Sequence, residues 1–485
     1  MVPRDLDSLP PKDAEALLLR LCPRLGASAP RLAELCGCLP LALLTTAAVL
    51  ANGTRSVVTY LDELADLRTR LGQLGPVEAA LRLSTDALDP PHQAALYRLS
   101  VFPANFDLAA AEAVLDLPAG PSPQDALDLL YQRSLLEWDA TTARYSLHPL
   151  VRSFALSRLP ETDASYLRHA EHYAVVAAYA ENDLYLSKDR QLEGLALFDR
   201  ERAHVDTGWA WACQHFGSLQ ADALLLAYAH ATVYIGSLRY HARSERIPQL
   251  EAALAAARRL GRRGAEGSLL GNLGTAYADL GDAHRAIEYY HKALAIEREI
   301  GDRRGEGAVL GNLGNAYNHL GDASRAIEYF KQTLAIDREI GDRREEASVL
   351  GNLGNAHAVL GDAHRATEYY KQQVVITGEI GDRRGAGAAL GNLGITYAVL
   401  GDARRAIEYY EQQLVITGEI GDRQGEAIGS WNLGLLREEQ GDFARAAELM
   451  QVKADYYREI GHPEAEARAA RVEQVRAKAA RGGRA

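Results

Sequence analysis

Apolar residues in the second half of the chain recur with a period of 40 residues, in copies that begin at residues 271, 311, 351, 391 and 431. In the first copy, Leu270, Leu273 and Tyr277 are three and four residues apart, which places them on one face of a helix. Ala286 and Tyr290 are four residues apart on a second stretch. The pattern therefore predicts two amphipathic helices in every copy.

Glycine followed by aspartate marks the predicted ends of these helices. The pair occurs twice in the first copy, as Gly281-Asp282 and Gly301-Asp302. Glycine readily adopts the left-handed conformation that ends a helix, and an aspartate side chain that caps the next helix contributes about 1 kcal/mol. We therefore expect short turns between long helices.

This spacing resembles the tetratricopeptide repeat, whose usual period is about 34 residues. The longer period here should lengthen the helices. The resemblance implies that residues 266–462 form a right-handed α-solenoid, stabilised by the interfaces between neighbouring repeats. The last copy has Ser430, Arg437 and Met450 in place of Leu, Tyr and an aromatic residue, so we expect it to end the array with a polar surface. Residues 463–485, rich in Ala and Arg, are predicted to add a final helix.

Asparagines recur on the first predicted helix of each repeat. Five are 40 residues apart and two follow three residues later, which gives the set Asn272, Asn312, Asn315, Asn352, Asn355, Asn392 and Asn432. An amide both donates and accepts hydrogen bonds, so this ladder is predicted to hold the backbone of an extended peptide in the concave groove. The alternative is that these side chains bond to neighbouring helices and hold the repeats in register. The sequence GNLGNAY is also similar to the repeats of Pins-type spindle-orientation adaptors, which implies a peptide ligand.

Two further sets of side chains recur with the repeats. Tyrosine pairs such as Tyr289-Tyr290 are expected on the second helices, with the second tyrosine of each pair in the core. Arginine pairs at 303–304, 343–344 and 383–384 lie near the turns. We expect these arginines on a solvated face, paired with acids four residues away.

The first 160 residues do not repeat, and helices are predicted over 13–24 and 29–50. Within the second, Leu39-Pro40-Leu41 resembles the GLPL motif of NB-ARC nucleotide switches of the STAND class. The segment LSVFPANF (99–106) resembles the start of the winged-helix part of the same module. Residues 135–138 and 144–148 predict the two strands of a wing hairpin, and His148 stands where that family has its MHD motif.

The predicted fold class is mainly α, with a small helical and winged-helix module followed by the solenoid. We expect a helical domain over 1–75, a winged-helix-like domain over 76–159 and a helical linker with degenerate helix pairs over 160–265. The tetratricopeptide array and the C-terminal tail complete the chain.

The resemblance also implies that two residues lie near a nucleotide. In that family the GLPL proline packs near the adenine and the MHD histidine contacts the β-phosphate of ADP; these correspond here to Pro40 and His148. ADP and ATP are implied only by this resemblance, and the chain alone is expected to hold no cofactor and no metal. The alternative for His148 is a hydrogen-bonded histidine at the base of the hairpin.

The phosphate-binding loop Gly-x4-Gly-Lys-[Ser/Thr] does not occur in the sequence. The chain is therefore not expected to be an enzyme, and no catalytic arrangement of Ser, Cys, His or paired carboxylates stands out. The resemblance implies that the chain starts where the P-loop domain of a full-length switch would end. A separate P-loop NTPase domain is therefore a candidate partner.

Composition and charge exclude several further classes of function. The net charge of −12 argues against nucleic acid as a partner, and no run of 18 apolar residues predicts a membrane span. Four cysteines in 485 residues indicate a reducing cytoplasm. Cys36 and Cys38 lack the paired spacing of zinc ligands, so we expect packed thiols.

Together these features predict a non-catalytic sensor and relay portion of a STAND-type signalling or transcription-regulating switch, with a protein or peptide in the solenoid groove. Two alternatives remain open. One is a stand-alone tetratricopeptide scaffold that binds an extended peptide. The other is an ADP-binding subunit completed in trans by a P-loop partner.

Overall fold

A computed structural model describes residues 8–53, 55–70, 75–117, 120–160, 164–187 and 189–482. The chain forms two compact units, residues 1–240 and 241–485. The first is the helical and winged-helix module with part of the segment predicted as a linker, and the second contains the repeats. The mainly α fold is confirmed. Within the described residues, no helix is long and apolar enough to cross a membrane.

The first unit is built from short helices, many of which begin with proline. Its helices are α1 Pro11–Leu21, α2 Ala29–Leu35, α3 Pro40–Ala51, α4 Val57–Arg70, α5 Pro76–Asp86, α6 Pro90–Leu99, α7 Leu108–Val114, α8 Pro123–Gln132, α9 Pro149–Leu156, α10 Ser165–Ala178, α11 Gln191–Gln214, α12 Leu219–His230 and α13 Tyr234–Arg239. A 3-10 segment covers Pro23–Ser28 and a π-helical turn covers Tyr179–Tyr185.

The predicted helix over 29–50 is wrong, because two helices occupy this stretch. Helix α2 ends at Leu35, and the backbone then turns through Gly37 and Cys38, which have φ values of 60° and 54°. Pro40 starts α3 at its first position, where the missing N–H of proline costs nothing. The predicted helix over 13–24 likewise ends earlier, at Leu21, before the 3-10 segment.

The predicted wing hairpin is confirmed as strands β1 Glu137–Asp139 and β2 Arg144–Ser146, which pair antiparallel with Trp138 opposite Tyr145. The backbone of Phe106 also exchanges hydrogen bonds of 2.8 and 2.7 Å with Tyr145. The ring of Phe106 stacks on Phe102 with centroids 4.0 Å apart. The segment 99–106 is thereby fixed between the wing and the core of the winged helix.

The second unit consists of antiparallel helix hairpins stacked in chain order. Its helices are α14 Ile247–Arg259, α15 Arg263–Asp279, α16 Ala283–Ile300, α17 Arg303–His319, α18 Ala323–Ile340, α19 Arg343–Val359, α20 Ala363–Glu379, α21 Arg383–Val399, α22 Ala403–Ile420, α23 Arg423–Glu439, α24 Phe443–Glu459 and α25 Ala465–Gly482. A π-helical segment, Ala242–Arg246, precedes them. The hairpins from α15/α16 to α23/α24 have helices of 17 or 18 residues, as the long period predicts.

The turns contain the predicted left-handed glycines and aspartate caps. Gly301 adopts the left-handed conformation with φ 72°, and the Asp302 side chain accepts a 2.9 Å hydrogen bond from the Gly305 N–H. Asp282 caps α16 in the same way through the Arg285 N–H, at 3.1 Å. These caps satisfy backbone donors that the helix itself leaves unpaired.

A glycine on the first helix of each hairpin packs against an aromatic ring on the second. A Cβ atom added to Gly274 would lie 2.5 Å from the Tyr290 ring, and Gly314 meets the Phe330 ring at the same distance. Gly354 with Tyr370 and Gly394 with Tyr410 repeat the contact. As predicted, the second aromatic residue of each pair is therefore in the core.

The arginines beside the turns are exposed or half-buried, as expected, but they form a network, which corrects the prediction that their partners lie four residues away. Arg303 contacts both Glu306, three residues on, and Glu339 at the end of α18. Arg298 of the preceding repeat reaches the same Glu306 at 2.7 Å. Glu306 is 7% exposed, so each such glutamate joins two repeats. Arg304 pairs instead with Asp342 at 3.5 Å.

The end of the array is covered by a helix, which corrects the expectation of a polar surface in the last repeat. Ser430 and Met450 are buried, and Arg437 pairs with Glu411 at 3.1 Å. Val472 and Val475 of α25 pack into the same core as Met450. The predicted C-terminal helix is thus the cap of the solenoid.

We predict opposite effects for two glycine-to-alanine changes in one hairpin. Gly354→Ala should destabilise the second unit by about 1–3 kcal/mol, because the new methyl group overlaps the Tyr370 ring. Gly378→Ala, in α20, meets no atom within 4 Å and should stabilise by about 0.5–1 kcal/mol through helix propensity. Urea unfolding monitored by helicity measures both; equal effects would contradict the packing account.

Candidate functional site

The first helices of the repeats present one face with four recurring exposed or half-buried positions. On α21 these are Ala388, Asn392, Ile395 and Val399, which are four, three and four residues apart. Such spacing forms one stripe along a helix. The equivalent positions are Ser268, Asn272, Thr275 and Asp279 on α15; Ala308, Asn312, Asn315 and His319 on α17; Ser348, Asn352, Asn355 and Val359 on α19; and Ile428, Asn432, Leu435 and Glu439 on α23. We call this set the groove face.

The predicted asparagines all lie on the groove face, with different degrees of internal bonding. Asn355 accepts a 2.7 Å hydrogen bond from the Tyr370 hydroxyl, and Asn352 donates a long 3.5 Å bond to Asn315 of the neighbouring repeat. Asn272, Asn312 and Asn392, all half-buried, make no side-chain hydrogen bond to another described residue. Asn352 and Asn355 thus make the hydrogen bonds to neighbouring helices that the alternative predicts. The amides of Asn272, Asn312 and Asn392 keep their donors and acceptors for other partners.

A cleft of about 270 Å³ opens between α21 and α23 on the groove face. Its walls include Ala388, Asn392 and Ile395 from one helix and Ile428 and Asn432 from the other. The floor is provided by Gln413 of α22. One predicted asparagine from each of two neighbouring repeats thus faces the same space.

Gln413 contributes a buried amide to this floor. It is 5% exposed, its amide group is enclosed by Gly391 and Gly429, and its Oε1 has no hydrogen-bond partner among the described residues. The preceding repeat also has a glutamine with an unpaired Oε1 at this position, Gln373, whereas the two repeats before it have Ala293 and Thr333. An unpaired buried acceptor costs about 1–3 kcal/mol, which is recovered if a ligand supplies a donor.

The structure brings the surroundings of Pro40 and His148 together in the first unit. Leu41 and Leu44, just after Pro40, line a cleft of about 500 Å³ with Trp138 and His148. The Nδ1 atom of His148 accepts a 3.2 Å hydrogen bond from the Leu150 N–H and so caps α9. The alternative of a hydrogen-bonded histidine at the hairpin base is therefore observed, and only its Nε2 stays available.

Cys36 is packed among the residues of the helical domain. Its thiol lies 3.7 Å from the Ala42 carbonyl oxygen and 3.6 Å from the Thr46 hydroxyl. No group of three or more metal-ligating side chains is found in the parts of the chain that the structure describes.

A buried ion pair that the sequence pattern does not predict connects the wing to α11. Arg144 of β2 donates two 2.8 Å hydrogen bonds to the carboxylate of Glu201. Arg144 also bonds the side chain of Asn105 at 3.0 Å, and the His204 ring nitrogen Nε2 lies 2.9 Å from the Asn105 carbonyl oxygen. Burial lowers the pKa of His204 to about 4 and that of His169, which contacts it, well below its usual range. Both imidazoles are therefore neutral, and His204 links Asn105 to His169, whose Nε2 lies 3.3 Å from the His204 Nδ1.

Two buried carboxylates lie between the early repeats. Burial raises the pKa of Glu297 to about 7, with a smaller contribution from the nearby charge of Asp302. Burial also raises the pKa of Asp337 to about 6, assisted by Glu345 and Asp342. The later repeats place Thr377 and Thr417 at the equivalent positions. No periodic signal separates these acids from the exposed ones, since only the packing of neighbouring helices buries them.

Comparison with known proteins supports the two parts of the fold. The tetratricopeptide repeat family matches residues 265–339, 305–374 and 345–414, and the winged helix-turn-helix domain family matches residues 88–160. The chain thus carries a winged-helix segment followed by tetratricopeptide repeats, as the resemblance to a STAND protein's C-terminal part implies. No curated protein matches the chain as a relative.

Several solved structures are similar in fold. A STAND protein with a tetratricopeptide repeat sensor from Pyrococcus horikoshii is 17% identical, with a TM-score of 0.44 over 96% of this chain and 72% of that one. Aspartyl phosphate phosphatase F from Bacillus subtilis is 13% identical, with a TM-score of 0.43 over 65% and 95%. BtubC from P. vanneervenii is 23% identical, with a TM-score of 0.34 over 48% and 89%. With TM-scores below 0.5, these likenesses carry no conclusion about function.

We predict that breaking the Arg144–Glu201 pair destabilises the first unit strongly. Glu201→Gln should cost about 3–5 kcal/mol of unfolding free energy, because it removes the buried counter-charge 2.8 Å from the Arg144 guanidinium and leaves only the half-exposed Asp107 at 3.9 Å. The exposed pair Arg190–Glu193 provides the control, and Glu193→Gln should cost less than about 1 kcal/mol. Denaturant unfolding followed by tryptophan fluorescence measures both changes; similar costs would contradict the structural role of the buried pair.

We also predict that the second unit loses stability as the pH rises. The folded pKa values of Glu297 and Asp337 exceed the ordinary values of 4.5 and 3.8, so the folded state holds protons that the unfolded state has released. Their contribution is complete below about pH 4 and is lost as the pH passes through about 6 to 7. The double change Glu297→Thr and Asp337→Thr should raise the unfolding free energy at about pH 8 by roughly 2 kcal/mol and flatten the pH dependence.

Urea unfolding at about pH 5, 6.5 and 8 tests whether the unfolding free energy falls as the pH rises. Glu288→Thr is the matched control, because it removes an exposed carboxylate from the same helix as Glu297. An unchanged pH dependence in the double variant, or an equal change in the control, would contradict the assignment.

Proposed function

We propose that the chain is a non-catalytic sensor and relay part of a STAND-type switch, in which the groove face binds an extended peptide segment. The observation that carries this proposal is the asparagine stripe. Seven amides lie on one face of consecutive repeats, and Asn272, Asn312 and Asn392 keep both donor and acceptor capacity. Peptide backbones present the complementary N–H and C=O groups.

Binding at the groove is proposed to reach a nucleotide-binding domain through the first unit. Helix α11 belongs to the segment that leads from the winged helix towards the repeats, and it is fastened to the wing by the buried Arg144–Glu201 pair. A displacement of α11 therefore has to move β2 or break this pair. The ion pair and the neutral histidines beside it supply a stiff mechanical connection, which is what a relay requires.

A second candidate function rests on the cleft beside His148. Leu41, Trp138 and His148 line one space, so a base bound there would contact both motifs of the NB-ARC resemblance. A partner would have to supply the phosphate-binding loop and the metal ligands. In that case the chain acts as one wall of an ADP site that is completed in trans.

The proposed peptide-binding function predicts a large loss of affinity when three amides of the groove face are removed. The triple change Asn312→Ala, Asn352→Ala and Asn392→Ala should weaken binding by roughly 100-fold, at about 1 kcal/mol for each amide. The probe is a peptide selected on the full chain from a random display library, and fluorescence anisotropy of that peptide measures its affinity.

A matched control removes exposed side chains with the same 40-residue spacing. The triple change Glu288→Ala, Glu328→Ala and Glu368→Ala lies on the second helices and should leave peptide affinity within about twofold. Both triple variants should keep the helical content of the parent chain. Equal binding by the asparagine variant and the parent would exclude the amide ladder as the binding element.

A further inference from the structure

The groove face changes its chemistry along the array. In the first repeats the position three residues after the recurring asparagine is polar, as Thr275, Asn315 and Asn355. In the last two repeats the same position is Ile395 and Leu435, which are 45% and 37% exposed. Four residues further on, the groove face is apolar in two repeats only: Asp279 and His319 come before Val359 and Val399, which are 70% and 75% exposed, and Glu439 follows.

The cleft between α21 and α23 lies in this apolar part. Ile395 and Ile428 form opposite walls, and the small Ala388 leaves space between them. At about 270 Å³ the cleft is smaller than the roughly 300–1,000 Å³ of sites for drug-sized molecules. Its size therefore suits one side chain with a short stretch of backbone.

The polar groups of the cleft match a peptide backbone rather than a charged side chain. Arg384 and Asp422 both line it, so one positive and one negative charge balance at its edge. Gln413 at the floor has an unpaired Oε1 that can accept a hydrogen bond from a donor such as a backbone N–H. Asn392 and Asn432 flank this position and can bond the adjoining peptide groups.

We propose that the cleft between α21 and α23 is a specificity pocket for one uncharged aliphatic side chain of the bound peptide. This inference rests on the proposed peptide-binding function and deepens it, because it divides the groove into two parts. The amides of the early repeats hold backbone without regard to sequence. The pocket in the later repeats selects the peptide and fixes its register.

The test uses the same random peptide library on the full chain and then a double-mutant cycle. Selected peptides should share one Leu, Ile, Val or Met position. Replacing that residue by Ala in the peptide should weaken binding to the parent chain by about tenfold or more. The variant Ile395→Asn introduces the residue that Asn315 and Asn355 already provide in earlier repeats, so the fold should tolerate it.

The cycle distinguishes the pocket from the general groove. In Ile395→Asn the parent peptide should bind about tenfold more weakly, while the Ala-substituted peptide should bind both chains equally. His319→Val, which makes the opposite polar-to-apolar change in α17, is the control and should leave the coupling intact.

The outcomes test the specificity pocket and the proposed peptide-binding function separately. Selected peptides with a charged consensus, or effects of the peptide and protein changes that simply add, would overturn the specificity pocket and leave the proposed function standing. If no peptide is selected at all while the chain is folded, the proposed function fails and the pocket fails with it.

Discussion

The ring of Tyr290 lies directly against Gly274, and this contact recurs in the next three repeats through Phe330, Tyr370 and Tyr410. Only a residue without a side chain lets the two helices approach so closely, because one added methyl group overlaps the ring. The contact fixes the rotation of each first helix about its own axis. Since the asparagine precedes this glycine by two residues in every copy, the same rotation turns every asparagine towards the groove face. The ligand-facing surface is in this sense a consequence of core packing.

Much of the repeat architecture could be predicted from the sequence, because its determinants are local. Period, helix length, glycine turns and aspartate caps all depend on residues close together along the chain. The wing hairpin and its position after the 99–106 segment were recognisable for the same reason. The break between α2 and α3 was missed, although Pro40 signalled it, because the apolar pattern continues through Gly37 and Cys38. The turn depends on two left-handed residues, one of which is not glycine.

The features that pattern analysis missed depend on contacts between distant residues. Arg144 and Glu201 are 57 positions apart, and each resembles an ordinary surface charge until β2 and α11 meet. Glu297 differs from its exposed neighbours only in what the adjacent repeat places over it. The sequence around the arginine pairs predicts only solvated charges. Glu306, which binds arginines of two repeats, is nevertheless buried between them. These groups tie helices together, so stability, pH response and the proposed relay all depend on them.

The most direct test of the account is to locate a bound peptide on the second unit by photo-crosslinking. A benzophenone amino acid would replace Ala308, Ser348 or Ala388 on the groove face, and Glu288, Glu328 or Glu368 on the second helices, one position at a time. The probe is a peptide selected from a random library, and mass spectrometry identifies the adducts. The account predicts adducts from the three groove positions and none from the glutamate positions. Adducts from the glutamate positions alone would place the ligand on another surface and contradict it.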